Sequence, residues 1–348
     1  MIERIRKNIR AMAGYTPGEQ LNSPDVIKLN TNENPYPPSP KVFEAIAATA
    51  TSNRLRKYPQ PFGDDFRNAA GDVLGVEPAS ILIGNGSDDI LTILTRSFVP
   101  EGGLIASPTP SYVLYKSLAE IQGARFETVS FNADWSVPNP WPKSNADLTF
   151  FPNPNSPSGT ALTLPQLETL AQQVRGPFVL DEAYADFCDW NGLSLVAKLP
   201  NVIVSRSFSK TYSLAGMRFG FAVARPELVN ELLKVKDSYN VDVLALAAAT
   251  AAIRDQAYYQ SLRDKIIRTR ARMMTALTGM GFEVTPSLAN FLWCRRADRP
   301  LKPIYEALKA KQILVRYMNY GSAGDGLRIS VGTDEEIDRL LGELKAIV

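Results

Sequence analysis

The order of elements predicts an α/β protein: a mostly parallel sheet covered by helices on both faces, followed by a smaller α+β unit. Two observations carry this expectation. Short apolar runs alternate with amphipathic helical stretches from about residue 40 to residue 225, the pattern of strands buried on both faces and joined by crossover helices. The polar motifs then fall just beyond those runs, at strand ends, where ligands bind in sheets of this kind.

In chain order, residues 1–39 are rich in Pro, Asn and Gly, and Leu29-Asn30-Thr31-Asn32-Glu33-Asn34-Pro35-Tyr36-Pro37-Pro38 reads as a loop too varied for low-complexity disorder. A helix is predicted from Ser39-Pro40 to about Ala50, with Val42, Phe43 and Ile46 on one face, and another from Gly63 to Leu74. Ile81-Leu82-Ile83 is a strand that leads through Gly84-Asn85-Gly86-Ser87-Asp88-Asp89 into a helix carrying Ile90, Leu91, Leu94 and Phe98. Gly86 permits close backbone approach, and the free N–H groups of the helix start favour an anion. Many capped helices bind nothing, so this segment alone leaves both readings open.

Strands follow at Leu104-Ile105-Ala106, Phe126 to Ser130 and Leu148-Thr149-Phe150-Phe151, with a helix from Tyr112 to Gln122 between the first two. The third strand runs into Pro152-Asn153-Pro154-Asn155-Ser156-Pro157-Ser158-Gly159-Thr160 and a helix over about 164–174. Phe178-Val179-Leu180 ends in Asp181-Glu182-Ala183-Tyr184, and Val202-Ile203-Val204 ends in Ser205-Arg206-Ser207-Phe208-Ser209-Lys210. Phe219 to Val223 is a further strand, and helix is predicted over about 242–279. Asn290 to Trp293, Ile313 to Val315 and Leu327 to Val331 alternate with helices near 301–311 and 334–346 as the smaller unit. The predicted division is 1–39, an arm; 40–240, the large unit; and 241–348, a long connecting helix with the small unit.

Composition narrows the chemistry. A formal charge of +2 leaves no electrostatic footprint for nucleic acid or a membrane. No apolar run reaches membrane-spanning length, and the charged N-terminus lacks a signal-peptide core. Two cysteines, Cys188 and Cys294, fit a reducing cytoplasm better than a disulfide framework. The chain contains no histidine, which removes His-based nucleophile systems and His-ligated zinc, so no metal site is expected. Acid–base work near neutral pH falls to a Lys, Tyr, Asp or Glu, or to a cofactor.

Lys210 is delivered just past a strand among small hydroxyls, with Arg218 eight positions on. Ser207, Ser209 and Arg218 are donors suited to a phosphate ester, and the lysine amine could form a Schiff base with a carbonyl cofactor. Taken alone, the segment also fits a polar loop. A cofactor with a phosphate, a carbonyl and an aromatic nitrogen would need an amine, phosphate donors, an aromatic face and a carboxylate at the ring nitrogen. Lys210, the glycine turn with Arg218, Tyr112 and Asp181 supply these in turn.

With these motifs in this order, nearly the whole chain resembles the fold-type I, pyridoxal-phosphate-dependent aminotransferases, and among them most closely the histidinol-phosphate aminotransferase family. The resemblance runs from the Leu29-Asn30-Thr31-Asn32-Glu33-Asn34-Pro35 loop to Gly326-Leu327-Arg328-Ile329-Ser330-Val331-Gly332. It implies pyridoxal 5'-phosphate as cofactor and a small domain built from both chain ends. Lys210 would be the Schiff-base lysine and the acid–base group, Asp181 would pair with the ring nitrogen, and Tyr184 would bond the phenolic oxygen. Tyr112 would stack on the ring, while Gly86, Ser87 and Asp88 backbone, Ser207, Ser209 and Arg218 would hold the phosphate. Tyr58 would reach the phosphate site of the neighbouring subunit of a homodimer. The family pattern has an Asn directly before the second Pro, where this chain has Ser156, so the cofactor contact is assigned to Asn155 one position earlier.

For the substrate, the resemblance implies Arg328 and Arg316 as anion partners, two guanidiniums suiting the phosphate ester of histidinol phosphate. Tyr15 and the Asn32-Glu33-Asn34 loop would close over it, with Glu33 facing the imidazole. The implied reaction is transamination between L-histidinol phosphate and 2-oxoglutarate. Alternatives are a threonine-phosphate decarboxylase-like enzyme or a broad aromatic-amino-acid aminotransferase, and, outside catalysis, a pyridoxal-phosphate carrier.

Overall fold

The computed structural model describes residues 2–14, 19, 21, 25–321 and 324–348. Its strands, in chain order, are β1 (Ile27–Leu29), β2 (Ile81–Gly84), β3 (Leu104–Thr109), β4 (Arg125–Ser130), β5 (Leu148–Pro152), β6 (Phe178–Asp181), β7 (Val202–Ser207), β8 (Gly220–Val223), β9 (Glu283–Thr285), β10 (Phe291–Arg295), β11 (Ile313–Asn319) and β12 (Asp325–Ser330). Seven of them form one sheet in the order β2-β8-β7-β6-β5-β3-β4, and five form a second in the order β1-β11-β12-β10-β9.

The large sheet is buried on both faces, as its apolar runs require. In β7, Val202 and Val204 pack with Phe151, Phe178 and Leu180 against Ala245 and Ala249 of the helix Val243–Arg254. Ile203 between them points the other way, to join Phe150, Val179 and Ile105 against Leu91, Leu94 and Leu118. This is the period-two alternation of a strand with helices on each side. The sheet is mostly parallel, with β8 antiparallel to both β2 and β7. The helical region predicted over 242–279 is two helices, Val243–Arg254 and Gln256–Gly279, separated at Asp255. The first packs on the large sheet, and the second supplies Ile266, Met273 and Leu277 to the core of the small one.

β1, from the arm, pairs parallel with β11 through Ile27↔Ile313 and Leu29↔Val315, so the small sheet is built from both chain ends. Sequence patterning missed β1 and β9, each three residues long, because their pairing partners rather than any local alternation define them.

What matters for function is where the strands stop. Pro152 pairs with Asp181, Asp181 with Ser205, and Ser207 with Gly220, which in turn faces Gly84. The ends of β2, β5, β6 and β7 and the start of β8 therefore share one edge. A Cβ on Gly220 would stand 2.4 Å from the Ser87 nitrogen and 2.6 Å from the Gly86 carbonyl carbon, both backbone atoms that cannot swing aside. The missing side chain thus lets the helix Ser87–Phe98 begin directly against the sheet. Gly220→Ala is expected to cost about 1–3 kcal/mol of stability in a denaturant melt. Gly342→Ala, at an open helical position, should be neutral or slightly stabilising; equal behaviour of the two variants would contradict this account.

Candidate active site

At that edge a cavity opens between the two sheets. The large sheet contributes Asp181, Tyr184, Ser207, Ser209, Lys210 and Arg218, and the helix start at Ser87 and Asp88 closes one end. The small sheet contributes Arg316, Met318 and Arg328, and the loop after β1 supplies Asn30, Thr31 and Asn32. Residues far apart in sequence but predicted to act together are thus brought to one place.

Asp181 ends β6 and is only 5% exposed. Its Oδ2 accepts a hydrogen bond from Tyr115 Oη at 2.7 Å, whereas Oδ1 is buried with no partner. Burial raises its pKa to about 6, with Asp88 adding repulsion and the Tyr115 bond opposing the shift. Tyr115 is itself pushed well up, by burial first and by Asp181 next. A buried carboxylate with one oxygen held and one open is an acceptor waiting for a donor.

The end of the cavity rich in hydrogen-bond donors is built from the turn before the helix at Ser87 and the loop after β7. Arg218, at φ 50, sends Nη1 to Ser209 Oγ at 3.3 Å and Nη2 to Asp88 Oδ2 at 3.3 Å. Ser207 Oγ accepts from the Ser209 backbone N–H at 3.2 Å. Asp88 Oδ1 also accepts from Tyr112 Oη at 3.2 Å, so its carboxylate orients an aromatic ring and a guanidinium. Gly86 is the N-cap at φ 81; a Cβ there would meet Arg218 Nη2 at 2.6 Å.

Lys210 Nζ donates to the Thr31 carbonyl at 3.0 Å and lies 5.9 Å from the Tyr184 ring centre. Tyr184 Oη accepts from Asn32 Nδ2 at 2.9 Å. On the small-sheet side, Arg316 and Arg328 are directly paired across β11 and β12. Arg328 donates to Ser156 Oγ at 2.9 Å and to the Asn30 carbonyl at 2.8 Å, with its guanidinium over Phe291. Arg316 has no hydrogen-bond or ion-pair partner among the described residues.

Two expectations need correction. Asn155 does not line the cavity: its amide donates to the Pro110 carbonyl and to Ser158 Oγ, bracing the loop, while Ser156 lines it instead. The side chain directly before the second Pro faces in, so the shorter residue occupies that place. Glu33 does not line the cavity either; it is held by Lys28 and Thr31, whose hydrogen bonds keep its carboxyl low against the opposing effect of burial. Tyr58 lies outside its own cavity, 80% exposed and stacked on Tyr239 at 4.4 Å. Tyr15 lies outside the described residues.

Tyr115, Thr31 and Met318 were not singled out from sequence, and Ser156 was named there as the residue in the family's Asn position without being given the contact. Tyr115 was the most accessible of these, since it stands three residues after Tyr112, at the spacing that brings side chains to one side of a helix. Among the described residues no group of three or more acidic or thiol side chains could hold a metal ion, and no helix is long and apolar enough to cross a membrane.

The raised Asp181 pKa has a consequence for stability. Between about pH 4 and pH 6 the folded chain keeps a proton that the unfolded chain has released, so this group's contribution falls as pH rises through that window. Asp181→Asn keeps an acceptor for Tyr115 and removes the buried charge. Without ligand, it is expected to be more stable than the parent at pH 7.5, by on the order of 3 kcal/mol. Thermal melts should show that advantage shrinking toward pH 4; an advantage that does not change with pH would sink the idea.

The chain is similar to known proteins over nearly its whole length. Residues 24–344 match the family described as aminotransferase class I and II. A histidinol-phosphate aminotransferase of Rhodopirellula baltica is 49% identical over 96% of this chain and 93% of its own length. A protein of the same name from Geobacter sulfurreducens is 46% identical over 99% of both chains. Among solved structures, histidinol-phosphate aminotransferase from Sinorhizobium meliloti in complex with pyridoxal-5'-phosphate superposes with a TM-score of 0.86 at 24% identity, over 99% of this chain and 98% of that one. A family match across both sheets, on a chain that gathers an amine, a buried carboxylate and a serine–arginine cluster at one strand edge, leads to one conclusion: this chain belongs to the class I and II aminotransferases.

Proposed function

We propose that the chain is a pyridoxal-phosphate-dependent aminotransferase that exchanges the amine of L-histidinol phosphate for the keto group of 2-oxoglutarate, in histidine biosynthesis. Family membership and the names of full-length relatives support the reaction class and the substrate. The observation that carries the reading is the shared cavity, in which Lys210, the open Asp181 Oδ1 and the Ser207–Ser209–Arg218 cluster stand together.

These residues fit the cofactor. Asp181 Oδ1 is the acceptor for a ring N–H, and the two serines, Arg218 and the helix start at Ser87 suit its phosphate. Tyr112 offers a ring face, and Tyr184 offers a hydroxyl for the phenolic oxygen. When bound, pyridoxal phosphate supplies an aldehyde for the substrate amine and an electron-poor ring that draws charge from the neighbouring carbon.

The protein's own contribution is placement and proton handling. Asp181, ionised, holds the ring nitrogen's proton. Lys210 Nζ, tethered by the Thr31 carbonyl, takes the proton from the substrate carbon that bears the amine. Arg316 and Arg328 hold the substrate's phosphate ester and, in the return half-reaction, a carboxylate of 2-oxoglutarate. Both halves use the same lysine, so ping-pong kinetics follow. The exposure of Tyr58 supports a homodimer in which this residue serves the phosphate site of the neighbouring copy. The buried free thiols of Cys188 and Cys294 suit the cytoplasm.

Two measurements test the reading. Lys210→Ala should remain folded and lose turnover by about 100- to 10,000-fold or more; undiminished turnover would reject the assignment. Arg316→Gln should raise KM for L-histidinol phosphate by about 10- to 100-fold with a smaller effect on kcat. An unchanged KM would remove Arg316 from the substrate site.

A further inference from the structure

Asn32, expected at the substrate, lines the cavity, and its side chain is tied to two neighbours there. It is 1% exposed and sits at φ 57, in the left-handed region that asparagine tolerates better than most residues. Its backbone N–H donates to Ser330 Oγ at 2.9 Å, and its carbonyl accepts from Asn290 Nδ2 at 2.9 Å. The Ser330 hydroxyl donates to Asn32 Oδ1 at 2.9 Å, and Asn32 Nδ2 donates to Tyr184 Oη at 2.9 Å.

This arrangement fixes which way the amide faces. Ser330 Oγ already accepts the Asn32 N–H, so its own hydrogen needs an acceptor, and among the described residues Asn32 Oδ1 is the one it has. A flipped amide would set two donors against each other or leave the hydrogen of a side chain in a residue only 2% exposed without an acceptor. With the amide so held, Tyr184 Oη receives a hydrogen bond from Asn32 and keeps its own hydrogen for a different acceptor. No protein acceptor for that hydrogen is found among the described residues, and Tyr184 lines the cavity.

We propose that Asn32 is a positioning residue for the reaction: its amide, locked by Ser330, makes the Tyr184 hydroxyl a standing donor to the phenolic oxygen of the bound cofactor. This rests on pyridoxal phosphate occupying the cavity. A donor held on that oxygen stabilises its anionic form, so it lowers the pH at which the bound cofactor's visible absorbance changes. Charged groups near Tyr184 among the described residues include Lys210, 5.9 Å from its ring, Asp181 in the same cavity, and Arg328, whose guanidinium lies over Phe291, the ring that packs against Tyr184. None of them is altered in the variants below, so differences between the variants report the hydroxyl.

The test is an absorbance titration of the holoenzyme with Asn32→Gly, which suits the left-handed backbone, Tyr184→Phe and the double variant. Asn32→Gly should raise the midpoint by about half to one pH unit. Tyr184→Phe should raise it at least as far, and the double variant should match Tyr184→Phe alone. Ser330 does not line the cavity, yet Ser330→Ala, which removes both the hydroxyl that holds Asn32 Oδ1 and the acceptor of the Asn32 N–H, should shift the midpoint in the same direction. An unmoved midpoint in Asn32→Gly and Ser330→Ala would overturn the proposal. So would an Asn32→Gly shift that persists undiminished beside Tyr184→Phe. A parent protein with no visible band in excess cofactor would overturn the cofactor reading itself, and this inference with it.

Discussion

The parallel pairing of β6 with β7 is the constraint on which the site depends. It sets Asp181 beside Ser205, so Asp181 and Tyr184 leave one strand end where Ser207, Ser209 and Lys210 leave the next. The pairing is secured from beneath: Arg206 Nε reaches Glu182 at 2.8 Å and Nη1 reaches Asp186 at 2.7 Å, with Arg206 and Glu182 both buried. Arg206 and Glu182 neighbour the cavity residues Ser207 and Asp181 in sequence, and neither lines the cavity itself. Removing one partner would leave a buried charge unpaired next to the two strand ends, which is strongly destabilising.

Much of this was legible in the residues. Apolar β-branched runs ending in polar clusters identify both the strands and the functional edge, because a parallel sheet buried on both faces leaves polar chemistry nowhere to go but its ends. The placements of Lys210, Asp181, Tyr184, Arg218, Arg316 and Arg328 around one cavity follow from that rule and from motif order. The rest needed three dimensions. Nothing local tells that Tyr115 spends its hydroxyl on Asp181, which is 66 positions away. The inward turn of Ser156 rather than Asn155 depends on hydrogen bonds to Pro110 and Ser158, and Glu33 is claimed by Lys28 through the course of β1, a strand defined only by its partner β11.

The facing arginines of β11 and β12 illustrate a local conflict retained for a ligand. Like charges directly opposite each other across an antiparallel pair are destabilising. Arg328 is partly relieved by Ser156 and the Asn30 carbonyl, neither of them charged, and Arg316 has no such relief among the described residues. Among the described residues no acidic group is paired with Arg316, at the cavity wall formed by the small sheet. A dianionic phosphate ester would supply what the fold leaves out.

Asp181 carries the same logic into the life of the protein in the cell. A carboxylate kept from water with one oxygen unsatisfied makes the empty chain less stable than its core would otherwise allow. A ring nitrogen that brings its own proton to that oxygen removes the penalty, and ligand binding adds its mass-action share. Copies holding the cofactor would therefore open less often than copies without it, and proteases that act on the open fraction would spare them. Under cofactor shortage a cell would hold fewer molecules of this enzyme rather than a standing pool of idle ones.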